Sequence, residues 1–155
     1  MENTLSSVSF TVNGEPVPWK RARAKTHKAK DDKSGKKKTT VHFFEDKKVS
    51  EYKKKIINAY KESGGKFFEK GTPLYCEIYF FIETPKSSSL KKKLSLICDE
   101  RPTKRPDIDN LYKLIADALN GIAYHDDSQI VSLTLCKLWS LEPKVEIELR
   151  EIKHE

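Results

Sequence analysis

The sequence lacks the residue patterns that define several large classes of protein. Its three cysteines are odd in number and lie at least twenty-two residues apart, which fits neither a disulfide framework nor a zinc motif. The six glycines form no phosphate-binding loop, so we expect no nucleotide cofactor. No apolar run approaches the roughly 18 residues of a membrane span, and residues 1–10 carry no secretory pattern. These absences predict a cytoplasmic protein with reduced cysteines and no membrane association.

The composition is that of a folded domain. The chain has 155 residues, of which 37% are hydrophobic and 34% are charged, and its mean hydropathy is −0.67. A single core in a chain of this length buries roughly 70% of the unfolded surface. The content of Phe, Tyr and Ile is too high for full disorder. We therefore expect one domain over residues 1–155.

Charge is unevenly distributed along the chain, whose net charge is +7. Residues 18–40 contain ten basic and two acidic residues, whereas residues 107–127 contain five aspartates and one lysine. On charge alone the basic segment fits a solvated loop as well as a nucleic-acid-binding arm. The acidic segment favours the arm, because concentrated carboxylates in a basic protein need a neutralising partner.

Alternating apolar residues predict the strands. Residues 8–12 form a strand that ends at a tight turn, 39–44 form a short strand, and 74–83 form a central strand covered on both faces. The segments 129–138 and 144–152 predict two further strands. Because the connection between them is short, we expect these two to pair antiparallel.

Apolar residues at helical spacing predict three helices. One begins after Asp46 and ends at Gly64, a short basic helix covers 87–98, and a long helix begins at 108 and ends near Gly121. The Lys-rich segment 24–38 has almost no apolar content and is expected to be a mobile loop. The element order predicts an α+β fold, with a mixed, mostly antiparallel sheet and helices packed mainly on one face.

Carboxylates occur at two places that folding can bring together. Asp107 lies at the start of the long helix and Asp109 in its first turn, and Asp109 and Lys113 share a helix face about 6 Å apart along the axis. Asp126 and Asp127 precede a strand. If that strand packs beside the helix start, an aspartate from this pair can complete a three-carboxylate site. Oxygen-only ligation of this kind suits Mg²⁺ or Mn²⁺.

The same residues also have purely structural explanations. Aspartate is a favoured N-cap, acids in a first turn suit the helix dipole, and Asp109 with Lys113 is an ordinary i,i+4 ion pair. Asp126 and Asp127 can form a solvated turn. Spacing alone does not decide between these explanations and a metal site.

Three segments of the chain form a recognisable pattern. They read Pro-Asp-Ile-Asp-Asn-Leu-Tyr-Lys at 106–113, Asp-Ala-Leu-Asn-Gly at 117–121 and Asp-Asp-Ser-Gln-Ile at 126–130. Together they resemble the signature of the RusA family of Holliday-junction resolvases. A looser match covers residues 14–23 and the lysines at 91–93. The resemblance implies a RusA-like fold and a homodimeric, Mg²⁺-dependent endodeoxyribonuclease that makes paired nicks in opposed strands of a four-way junction.

The resemblance also implies roles for individual residues. Asp107, Asp109 and Asp127 would be the metal-binding catalytic acids, with Asp126 a further candidate ligand, and Lys113 would be the catalytic lysine.

Contacts to the DNA backbone are expected from the nearby basic residues Lys20, Arg21, Arg23, Lys104 and Arg105. Trp19 either stacks on an unpaired base at the crossover or serves as a partly buried anchor. Two other functions stay open at this point. One is a nuclease for other branched or flapped DNA, and the other is a non-catalytic nucleic-acid-binding module whose acids are structural.

Overall fold

The computed structural model describes residues 6–30 and 37–152. Within those residues the chain forms six strands and three α-helices, which are β1 (Ser7–Asn13), β2 (Arg23–Lys30), β3 (Lys37–Phe44), α1 (Lys47–Glu62), β4 (Leu74–Glu83), α2 (Leu90–Asp99), α3 (Ile108–Leu119), β5 (Ile130–Ser140) and β6 (Lys144–Glu151). Four strands form one sheet in the order β1-β6-β4-β5, and β2 pairs with β3. In the larger sheet β4 and β5 run parallel and the other pairs are antiparallel. The predicted α+β fold with a mixed, mostly antiparallel sheet is confirmed.

One face of the larger sheet carries the hydrophobic core. Alternate side chains of β4 are buried, and they pack in one cluster with the apolar stripes of α1 and α3. The other β4 side chains, such as Glu77 and Tyr79, are half-exposed, and the Tyr79 hydroxyl donates a hydrogen bond to the Glu77 carboxylate at 2.6 Å. The prediction that β4 is covered on both faces was therefore wrong, because its second face is partly polar and interacts with solvent.

Helices α1 and α3 begin and end where their sequences predict, whereas α2 begins three residues later than predicted, after its cap Ser89. Asp46 caps α1 by accepting a hydrogen bond from the Lys48 N–H at 2.9 Å, and Gly64 adopts a φ of +77° just beyond its end. Glycine tolerates this left-handed conformation, which side chains with a Cβ rarely adopt. Gly121, with a φ of +72°, follows α3 in the same way. The long helix is thereby held at a fixed length between Asp107 and Gly121.

The predicted pairing of the last two strands was wrong. β4 lies between β5 and β6 and pairs with both, parallel to β5 and antiparallel to β6. Residues 141–143 cross over the end of β4, where Ser140 is opposite Glu83 and Lys144 is opposite Phe81. Two strand spacings are about 9.6 Å, which four steps of about 3.8 Å along the chain can span. The apolar strand β4 thus gains two neighbours that complete its backbone hydrogen bonds.

The prediction of a mobile loop over 24–38 was also wrong, for the part of this segment that the structure describes. Residues 23–30 and 37–44 form an antiparallel pair, in which Arg23 is opposite Phe44. Alternation of basic residues with Ala and Thr permits a strand even though few apolar side chains are present. Residues 31–36 lie outside the described part of the chain.

Candidate active site

Asp107 occupies the N-cap position of α3, but its side chain does not cap the helix. The backbone has the extended conformation of an N-cap, with φ −71° and ψ 139°, and the Asp107 carbonyl accepts the first helical bond from Leu111 at 3.1 Å. The carboxylate forms no capping hydrogen bond and is exposed. The structural explanation of Asp107 as a helix cap therefore does not account for its side chain, which is available to a ligand.

Asp109 and Asp127 belong to different elements. Asp109 lies exposed in the first turn of α3, and Asp127 is half-buried in a 3-10 turn, Asp127–Gln129, that leads into β5. Tyr112, one helical turn after Asp109, interacts electrostatically with Asp127. Burial, with smaller contributions from Cys76 and the Asp127 carboxylate, raises the pKa of Tyr112 to about 12. The Asp127 carboxylate therefore acts on a residue of α3.

The three acids are not already arranged as a metal site. Within residues 6–30 and 37–152, no group of three or more His, Cys, Asp or Glu side chains has a geometry that would hold a metal ion. The convergence of Asp107, Asp109 and Asp127 on one ion therefore stays a prediction. The donor chemistry nevertheless fits a hard divalent cation, because all three side chains offer carboxylate oxygens.

Asp126 differs from Asp127 in its surroundings. The Ser128 hydroxyl donates a hydrogen bond to the exposed Asp126 carboxylate, and this bond holds the pKa of Asp126 below its usual value. Asp127 receives no side-chain hydrogen bond from the described residues. The Asp127 carboxylate is therefore more available to a ligand than the Asp126 carboxylate.

Gln129 fixes the turn that carries Asp127. Its side chain is 8% exposed, and its carbonyl oxygen accepts hydrogen bonds from the backbone N–H groups of His125 and Asp126 at 2.9 and 3.4 Å. Its amide nitrogen donates to the carbonyls of Glu69 and Thr72 at 2.8 and 3.2 Å. A buried amide that satisfies four backbone groups holds the turn in one conformation.

Lys113 does not form the i,i+4 ion pair that the spacing allows. No described carboxylate, including Asp109, lies within 4.0 Å of its ammonium. The ammonium nitrogen instead lies 3.9 Å from the centre of the Trp19 ring, at the distance of a cation–π contact. Of the two predicted roles for Trp19, the partly buried anchor fits this position, since the ring also packs against the core.

Lys137 supports the loop that precedes Asp107, a role that was not predicted from the sequence. From β5 its ammonium donates to the carbonyls of Lys104 and Pro106 at 2.8 and 2.9 Å. Hydrogen bonds from a charged donor are stronger than neutral ones. A signal was present in the sequence, because Lys137 is the one charged residue of β5.

The five predicted DNA-binding residues are all exposed but lie in two groups. Lys20, Arg21 and Arg23 line a groove of about 290 Å³ between the β2–β3 hairpin and the start of α1. The Lys20 ammonium pairs there with Asp46 at 3.3 Å, so part of its charge is already neutralised.

The second group lies beside Asp107. Arg105 and Asp107 line a groove of about 550 Å³ together with Trp19 and Asn110. Lys104 is exposed one residue earlier. This groove therefore brings a guanidinium and the uncapped Asp107 carboxylate close together.

In the described residues, no helix is both long and apolar enough to cross a membrane.

Known proteins resemble this chain over most of its length. The sequence model of the family described as endodeoxyribonuclease RusA matches residues 13–150. The uncharacterized protein YqaN of Bacillus subtilis (strain 168) is 32% identical over 151 residues, covering 96% of this chain and 99% of YqaN. The crossover junction endodeoxyribonuclease rusA of Lactococcus phage r1t is 31% identical over 113 residues, covering 72% of this chain and 79% of the phage protein.

Proposed function

We propose that this chain, which belongs to the RusA endodeoxyribonuclease family, resolves Holliday junctions by paired symmetric nicks that depend on a divalent metal. Family membership makes the chain an endodeoxyribonuclease, a hydrolase that acts on DNA. The observation that carries the proposal is the family match over residues 13–150, which includes every acid of the proposed site. The uncapped carboxylate of Asp107 supports it, because an N-cap aspartate without a capping bond is free for another use.

Asp107, Asp109 and Asp127 are the residues that would hold the metal. Nucleases of the RusA family depend on divalent metals, and carboxylate oxygens suit Mg²⁺ or Mn²⁺. A metal bound here would lower the pKa of a water molecule and neutralise the nonbridging phosphate oxygens. Asp126, whose carboxylate is engaged by Ser128, is the weaker candidate ligand.

The chain's own cations would bind and orient the DNA. Arg105, in the groove beside Asp107, would hold a phosphate of the strand to be cut. Lys113, one helical turn after Asp109, would stabilise the charge that develops on the scissile phosphate during in-line attack. Hydrolysis in this arrangement would leave a 5′-phosphate and a 3′-hydroxyl.

Residues 1–155 would form a single nuclease domain that acts as a homodimer. A four-way junction has two-fold symmetry, so a dimer with an isologous interface would present one site to each of two opposed strands. One dimer could then make both incisions while bound to the same junction.

A cleavage assay on three DNA substrates tests the proposal. We expect the protein with Mg²⁺ or Mn²⁺ to nick a synthetic four-way junction symmetrically, and to leave a flap and a linear duplex largely intact. Asp107→Asn should bind the junction but not cut it. Asp99→Asn, an exposed position at the end of α2, is the matched control and should cut normally.

Other results would replace the proposal with a different function. Preferential cutting of the flap would indicate a nuclease for other branched DNA. Tight binding of all three substrates without cleavage in either metal would indicate a non-catalytic binding module.

A further inference from the structure

The segment before the β2–β3 hairpin is attached to the body of the protein at both ends. The Gly14 N–H donates to the Pro143 carbonyl at 2.9 Å, and the Trp19 N–H donates to the Asn110 carbonyl of α3 at 2.8 Å. Between these bonds Pro16 and Val17 are buried. The backbone of Trp19 is thereby fixed beside Asn110 in the first turn of α3. Lys113 follows Asn110 by three residues on that helix.

The Trp19 ring is fixed as well as its backbone. The indole packs against the hydrophobic core and is partly buried. The Lys113 ammonium lies 3.9 Å from the ring centre, well within the roughly 6 Å over which a cation–π attraction operates. A ring held by the core can restrain a flexible lysine, whereas the lysine cannot restrain the ring.

Lys113 has two competing partners on its own helix. Asp109 and Asp117 lie four residues before and after it, at the spacing of helical ion pairs. Neither carboxylate is within 4.0 Å of the ammonium in the part of the chain that is described. The contact with Trp19 therefore replaces an ion pair that would neutralise Lys113.

We infer that Trp19 is a positioning residue for Lys113, holding the ammonium on a neutral surface so that its charge stays available to a phosphate. This inference rests on the proposed function, because it assigns to Lys113 the role of stabilising charge on the scissile phosphate. The indole attracts the cation without neutralising it, whereas Asp109 or Asp117 would form an ion pair that DNA must first break. In this role Trp19 acts through Lys113 and not directly on the phosphate or the metal.

A spectroscopic measurement tests the contact independently of catalysis. A proton above an aromatic ring is shielded, so the side-chain methylene protons of Lys113 next to the nitrogen should resonate upfield of those of exposed lysines such as Lys54. Trp19→Leu should abolish this upfield shift, and Trp19→Phe should retain part of it. An unshifted Lys113 resonance in the unmodified protein would overturn the inference, whatever the protein does to DNA.

A double-mutant cycle tests the functional consequence. Trp19→Leu should lower the single-turnover rate of junction cleavage roughly 3- to 30-fold, the range expected from loss of a cation–π contact. Junction affinity, measured with Ca²⁺ in place of Mg²⁺, should change less than about 3-fold, because the role inferred for Trp19 is to position Lys113 and not to bind DNA. In a Lys113→Ala background, Trp19→Leu should cause no further loss of rate.

The Trp19→Phe variant and the additivity of the two losses distinguish a cation–π role of Trp19 from other roles. Trp19→Phe should recover most of the rate, because it keeps an aromatic face, whereas equal defects in Phe and Leu variants would overturn the inference. Additive losses from Trp19→Leu and Lys113→Ala would also overturn it, since Trp19 would then act by another route. A wild-type protein that cuts no DNA would contradict the proposed function and leave the spectroscopic measurement to decide on the contact.

Discussion

The Lys137 ammonium donates a hydrogen bond to the Pro106 carbonyl at 2.9 Å, across 31 positions of sequence. A second bond from the same ammonium reaches the Lys104 carbonyl at 2.8 Å. Strand β5 thus holds the loop that leads into Asp107. The position of the first predicted metal ligand depends on a residue that is remote from it in sequence.

Lys137→Met should destabilise the protein and impair cleavage. Loss of two hydrogen bonds from a charged donor should lower the free energy of unfolding by about 1–3 kcal/mol. A small displacement of Asp107 should also slow junction cleavage roughly 10-fold. Urea denaturation and single-turnover cleavage measure the two effects. Lys54→Met, at an exposed position of α1, is the control and should change neither quantity. Normal cleavage by Lys137→Met would contradict the supporting role.

Asp126 and Asp127 should respond differently to the same substitution. Asp127→Asn should lower the rate of cleavage by roughly 100-fold or more, because it removes a proposed ligand. Asp126→Asn should lower it less than about 5-fold, because the Asp126 carboxylate is already hydrogen-bonded by the Ser128 hydroxyl. Junction binding without metal confirms that both variants are folded. Equal losses of activity would show that Asp126 also belongs to the site.

The basic groove at the hairpin should contribute to the salt dependence of DNA binding. Each phosphate contact contributes about 0.9 to the slope of log K against log salt concentration. The double substitution of Arg21 and Arg23 by Ala should therefore reduce that slope by about 1 to 2. Replacing Lys54 and Lys61 of α1 by Ala gives the same change of net charge and should leave the slope nearly unchanged. A hairpin variant with the wild-type slope would show that these arginines do not touch phosphate.

Stability should fall in alkaline solution, in part because of Cys76. Burial raises the pKa of the Cys76 thiol from 9.0 to about 12, so folding favours the neutral thiol. This contribution is complete below pH 9.0 and is lost as the pH rises toward about 12. Denaturation at several pH values should give a fall of up to about 1.4 kcal/mol per pH unit from this group. Cys76→Val should flatten the decline between pH 9 and 10; an identical decline in both proteins would assign it to other groups.

Local chemistry made most of the secondary structure predictable. Asp46 and Gly64 bound α1 as their capping preferences predict, and the buried spacing of Leu111, Leu114 and Ala118 produced α3 as expected. These features depend on residues within one or two turns of each other. Strand order depends instead on contacts between residues far apart in sequence. The short 141–143 connection predicted a hairpin, whereas the chain crosses the end of β4 there.

The sequence by itself determined the three helices and every described strand except β2, the separation of basic from acidic segments and the family, since these reside in residue type and spacing. Only the tertiary structure decided that Lys113 contacts Trp19 and not Asp109 or Asp117. It also decided that Gln129 fixes the turn before β5 and that Lys137 holds the loop before Asp107. Each of these arrangements includes a contact between residues far apart in sequence, which are Trp19 with Lys113, Gln129 with Glu69, and Lys137 with Lys104. The energies of these contacts depend on distances that exist only in the folded chain, and no local pattern encodes them.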